Sequence, residues 1–141
     1  MSKELILKKL EQLKGLLGEL EKLLKTPLEQ FAEDLKTIRA AERNFELIVE
    51  TASDVNTQLL LDLGKRTPDT YKESFMALKK EKILSDELAS RLVTTAKLRK
   101  ILIHEYDFEE DYKLFYQGAK KALPAYSDYI SSVMSNLDLG K

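Results

Sequence analysis

The sequence has no cysteine, a single histidine, five glycines and three prolines in 141 residues. Without thiols there is no disulfide, no thiolate metal site and no cysteine nucleophile. One imidazole and no cysteine also argue against a structural zinc site within one chain. So few glycines and prolines leave little material for the many turns of a β-sandwich or barrel. Long apolar runs are missing as well. Lysines and glutamates interrupt every such run in MSKELILKKLEQLKGLLGEL, and none approaches the roughly 18 residues that suggest a membrane span. The segment does not read as a signal peptide, and a cytoplasmic location without membrane association is the expectation.

Hydrophobic residues make up 43% and charged residues 33% of the chain, the balance of a globular protein. The length suits one domain, residues 1–141. The net charge of −1 conceals a segregation: residues 65–100 hold ten Lys/Arg against five Asp/Glu, and residues 105–111 hold five acids and no base. Solvated helix faces account for such runs, and a basic region of this kind also suits an RNA phosphate.

Apolar residues recur at spacings of three and four throughout, the signature of helices. Leu10, Leu13, Leu17, Leu20 and Leu24 mark a first helix. Thr26, Pro27 and Glu29 suggest a capping-box restart. A single long second helix is expected along Leu28, Phe31, Leu35, Ile38, Glu42, Phe45, Val49, Ala52, Asn56, Leu59 and Leu63, stopping at Gly64. Glu42 and Asn56 on this seam are either edge positions or buried specifiers of pairing, and an edge is the expectation. A short helix should carry Tyr71, Phe75 and Leu78. Ser85, Asp86 and Glu87 open a fourth with the stripe Leu88, Leu92, Thr95, Arg99 and Leu102. Asp107 and Glu110 can begin a fifth, which Pro124 should kink or break. The spacing predicts an all-α bundle of four to five helices.

LRKILIHEYDFEED contains the lone His104, five residues after Arg99 and two before Tyr106. Five helical positions give about 140° of rotation and about 7.5 Å of rise, so Arg99 must swing to reach the imidazole. Both cations also complement a helix C-terminus. A neutral His can take a proton from a ribose 2′-OH while Arg stabilises phosphate charge. The leaving 5′-oxygen needs a second acid, so a homodimer pairing two copies of the motif suits the chemistry. On the second helix, Glu50 and Asp54 share a face, and Arg39 and Arg43 either add to an RNA surface or pair with Glu46 and Glu50.

LRKILIHEYDFEEDYKLFY resembles the R-x-x-x-x-H-x-Y signature of the HEPN superfamily, specifically its HepT-like toxins of prokaryotic toxin–antitoxin modules. RAAERNFELIVETASDV and TPDTYKESFMALKKEKIL look like the corresponding blocks of that family, and the likeness runs from about Lys3 to Ile130. The resemblance implies a HEPN-type antiparallel helix bundle that forms a homodimer, with a metal-independent, cofactor-free endoribonuclease site in the dimer cleft. It makes Arg99 and His104 the catalytic pair and Asp54 a supporting group that orients Arg99. Tyr106 matches the tyrosine that a cognate MntA-type nucleotidyltransferase antitoxin modifies with AMP. Lys100 departs from the Asn or Asp usual after the arginine, and it can contact RNA backbone. That departure keeps open a second reading, a non-catalytic nucleotide- or substrate-binding subunit that partners a minimal nucleotidyltransferase. A third is a helical adaptor in which the motif is only a helix end.

Overall fold

The computed structural model describes the backbone of residues 2–104 and 108–139 and the side chains of residues 3–99 and 112–138. The described residues form six helices and no strands: α1 (Ser2–Leu23), α2 (Leu28–Glu33), α3 (Leu35–Asp62), α4 (Tyr71–Lys80), α5 (Asp86–His104) and α6 (Phe108–Leu139). The expected all-α architecture holds, with one more helix than the apolar spacing suggests.

The additional element comes from a break at Asp34 in what reads as one long helix. Asp34 has φ −106° and ψ 91°; it ends α2 and caps α3, its carboxylate accepting from the Thr37 N–H at 3.2 Å and the Thr37 hydroxyl at 2.7 Å. The apolar pattern does not register this, because Phe31 before the break and Ile38 after it bury into the same core. The capping box at Thr26 does not form either. Pro27 occupies the N-cap of α2 with no side-chain cap bond, and the Tyr116 hydroxyl faces the carbonyls of Thr26 and Leu24 at 2.8 and 3.1 Å. The α1–α2 connection is therefore pinned from α6.

The stop at Gly64 is as expected. Gly64 has φ +71°, a conformation costly for other residues. Its N–H donates to the Leu61 carbonyl and that of Lys65 to the Leu60 carbonyl, at 3.0 and 2.9 Å; this is a Schellman closure. Thr70 caps α4 through the Glu73 N–H and Ser85 caps α5 through the Leu88 N–H, each at 3.1 Å. Helix α6 runs unbroken through Pro124. An interior proline costs about 3 kcal/mol, offset here by burial on both sides of it, at Ala119, Ala122, Ala125, Tyr126 and Tyr129.

Helix α1 lies along α3, α4 packs on α3 and α5, and α6 closes the bundle against α5 and α1. Phe75, Tyr126 and Tyr129 meet edge to face at 6.0–6.4 Å in the middle of it, an arrangement worth about 0.5–1.5 kcal/mol per pair beyond burial. Glu42 and Asn56, expected at an edge, are buried. Arg39 lies 2.8 Å from the Glu42 carboxylate. The Asn56 amide donates to Ser74 Oγ at 2.9 Å, and Tyr129 directs its hydroxyl at Asn56 Oδ1 at 2.5 Å. Both sit on the seam because partners on the same or neighbouring helices satisfy them, which single-helix periodicity cannot reveal.

Candidate functional site

Helix α5 holds Arg99 one turn beyond Thr95, and Thr95 fixes the helix on α6. The Thr95 hydroxyl lies 2.6 Å from the Leu92 carbonyl and 2.7 Å from the Tyr126 hydroxyl. Burial pushes the Tyr126 phenol far above its ordinary range, and its bond to Thr95 acts against this. Helix α5 thus arrives at Arg99 with its orientation set by a neutral hydrogen-bonded pair.

The Arg99 side chain is largely withdrawn from solvent, at 17% exposure. Its guanidinium carbon stands 4.5 Å from the centre of the Tyr71 ring, the arrangement in which a cation meets the negative face of an aromatic. Nη2 lies 4.0 Å from Glu50 Oε2. Nε is buried without a hydrogen-bond partner among the described residues. Tyr71 is delivered by the first turn of α4, which Thr70 caps. Burial raises the Tyr71 phenol; the Arg99 charge opposes that, and Glu50, Asp54 and Glu46 add to it. The ring therefore stays a neutral phenol beside the guanidinium.

Beside this pair opens a cleft of about 670 Å³ between α3, α4 and α5, lined by Ser53, Thr70, Tyr71, Lys72, Lys97 and Arg99 among others. It combines a fixed guanidinium, two exposed lysines and three hydroxyls, a donor set suited to an anionic, sugar-bearing ligand. Among the described residues no group of three His, Cys, Asp or Glu side chains could hold a metal ion. No described helix is long and apolar enough to cross a membrane.

The site differs from the sequence reading in one respect. Asp54, expected to orient Arg99, instead pairs with Lys9 at 3.2 Å and is 59% exposed. The carboxylate at ion-pair distance from Arg99 is that of Glu50, which also lies 4.0 Å from Arg43. Glu50 and Asp54 start from one helix face, but α1 draws the second away. The side chains of Lys100 and His104 and the whole of Tyr106 lie outside the described residues. Within α5, His104 is the last residue, five positions beyond Arg99. Tyr71 carries no local signal of its place at the site. It is 28 positions from Arg99 in sequence, and only the packing of α4 on α5 joins them.

A model of the HepT-like ribonuclease family matches residues 9–133. A tRNA nuclease HepT from Aphanizomenon flos-aquae is 30% identical over 129 residues, covering 92% of this chain and 87% of that protein. Among solved structures, a tri-AMPylated HEPN toxin from Shewanella oneidensis, in complex with an MNT antitoxin, superposes with a TM-score of 0.83 at 18% identity, covering 92% and 96% of the two chains. YutE, a cytosolic protein from Bacillus subtilis, gives 0.71 at 21% identity over 92% and 91%. At such identities the structural likeness concerns the fold.

Proposed function

The chain belongs to the HepT-like ribonuclease family, and on that premise we propose that it is a toxin endoribonuclease that cuts RNA without a metal ion. Arg99 and His104 act on the scissile phosphate. The observation that carries the reading is Arg99 itself: a guanidinium held by Glu50 and Tyr71, lining an open cleft, on the helix that ends at His104. An arginine so constrained is ready to meet charge that develops on a phosphate, without reorganising at the moment of reaction.

The ribose 2′-oxygen attacks phosphorus while His104 takes its proton. The bond to the 5′-oxygen breaks, and that oxygen takes a proton from a second imidazole, the partner's His104 in a two-fold dimer. The products are a 2′,3′-cyclic phosphate and a free 5′-hydroxyl. Arg99 neutralises the pentacoordinate phosphorane. Lys100 contacts RNA backbone, and Asp54 acts at a distance, setting the field around Tyr71 rather than binding Arg99. The substrate class is cytoplasmic RNA, and the tRNA nuclease relative directs attention to tRNA first.

Tyr106 is the control point in this reading. A cognate MntA-type nucleotidyltransferase would transfer AMP to its phenolic oxygen, releasing pyrophosphate from ATP. The added nucleotide and its phosphodiester anion would occupy the electropositive site that an RNA phosphate needs.

The test is cleavage of RNA by purified protein in EDTA, with Arg99→Ala and His104→Ala as controls. The expected result is loss of cleavage in both variants and a 2′,3′-cyclic phosphate terminus from the wild type. Equal cleavage by wild type and His104→Ala overturns the site. Tight RNA binding without any cleavage by the folded dimer favours instead a non-catalytic binding subunit, the reading that Lys100 supports.

A further inference from the structure

The basic excess of residues 65–100 does not spread evenly over the surface; the fold sorts it into paired and unpaired charges. Lys65 lies 3.8 Å from Glu81, Arg91 3.1 Å from Asp128 and Arg99 4.0 Å from Glu50. Arg66, Lys72, Lys79, Lys80 and Lys97 have no carboxylate within 4.0 Å among the described residues. These five line two adjoining depressions. Lys72 and Lys97 stand in the Arg99 cleft. Arg66, Lys79 and Lys80 line a second depression of about 810 Å³. The two share Pro68 and Asp69, so the second continues the first around the start of α4.

Two carboxylates oppose these cations. Asp69 lines both depressions and Glu73 the second, where its carboxylate accepts the Asp69 N–H at 3.2 Å. The balance stays clearly positive. Unpaired, long cationic side chains along a continuous groove fit a polyanion whose charges recur along its length. Lysine is depleted at protein–protein interfaces, which weighs against a protein occupant.

We infer that this groove is the path of the RNA strand on one side of the scissile bond, leading from Arg99 past Lys97 and Lys72 to Arg66, Lys79 and Lys80. The path rests on the ribonuclease reading for its ligand but not on the identity of the base or acid. Arg66, Lys79 and Lys80 hold phosphates away from the reacting atoms, so they set affinity and leave the chemical step alone.

The experiment uses full-length protein carrying His104→Ala, which keeps the RNA intact, and a fluorescent single-stranded RNA oligonucleotide titrated at 50–200 mM salt. Each phosphate contact to single-stranded nucleic acid contributes about 0.7 to the slope of log affinity against log salt. The triple substitution Arg66→Gln, Lys79→Gln, Lys80→Gln should lower that slope by about 2. The triple variant then loses about 20-fold less affinity than its parent over this salt range. Lys22→Gln with Lys25→Gln, in the last turn of α1 and just beyond it and outside the lining of both depressions, should leave the slope unchanged. In the cleavage-competent background the triple variant should raise KM and preserve kcat. An unchanged slope in a variant with wild-type melting overturns the path. So does an unchanged slope with weakened binding of the nucleotidyltransferase, which would give the groove to a protein. Failure of the catalytic reading shows separately, as cleavage that survives Arg99→Ala.

Discussion

Asn56→Ala tests whether the buried polar chain joining α6, α3 and α4 stabilises the fold. Asn56 is fully buried. Its amide donates to Ser74 Oγ at 2.9 Å, its carbonyl oxygen faces the Tyr129 hydroxyl at 2.5 Å, and the Ser74 hydroxyl donates to the Tyr71 carbonyl at 2.8 Å. Truncation removes two hydrogen bonds worth about 1 kcal/mol each. No donor is orphaned, since Tyr129 still has the Ala52 carbonyl at 3.0 Å and Ser74 still has Tyr71. The cavity left by the amide adds roughly 0.7 kcal/mol, and the better helix propensity of alanine returns a similar amount. The expected loss is therefore about 2 kcal/mol. For 141 residues the unfolding entropy is about 0.3 kcal/mol/K, so Tm should fall by about 7 °C. Circular dichroism melts and urea titrations at one fixed protein concentration measure it, because self-association makes apparent stability depend on concentration. In a Tyr129→Phe background the same truncation should cost about 1 kcal/mol less. A loss below about 0.5 kcal/mol, or strict additivity of the two changes, would refute the account.

Gly15 and Gly18 are helical, and a Cβ built at either meets nothing within 4 Å. Gly15→Ala and Gly18→Ala should each stabilise by about 1 kcal/mol, read as a higher urea midpoint with unchanged m. Burial raises the phenols of Tyr71, Tyr126 and Tyr129, while in the unfolded chain they ionise near pH 10. The unfolded state alone then releases protons, so stability should be level below about pH 10 and fall above it. Urea midpoints from pH 8 to 11 should show this, with a shallower fall in Tyr126→Phe. Tyr71→Phe keeps the ring under Arg99 and should retain RNA cleavage within about twofold; Tyr71→Ala should lower it about 5–10-fold, the worth of a partly desolvated cation–π contact. Equal rates for the two variants would remove Tyr71 from the site.

Local chemistry made much of the bundle legible. Ser85 caps α5 as its sequence neighbours suggest, and Gly64 closes α3 with a positive φ. These signals lie within a few residues of the feature they specify. The break at Asp34 and the burial of Glu42 and Asn56 were not legible, because each depends on a partner or a packing face that helical periodicity leaves unchanged.

The site divides along the same line. The residue types and their order are written along the chain: an arginine five positions before the only histidine, a tyrosine two beyond it, and a basic region ahead of them. Tertiary structure alone decided which acid meets Arg99, giving that place to Glu50 because Lys9 of α1 takes Asp54. It also set the Tyr71 ring against the guanidinium and parted the paired cations from the unpaired ones. The reason is geometric. Neighbours three or four apart on a helix follow from its pitch, whereas contacts between helices depend on how whole faces pack, and no spacing along the chain encodes that.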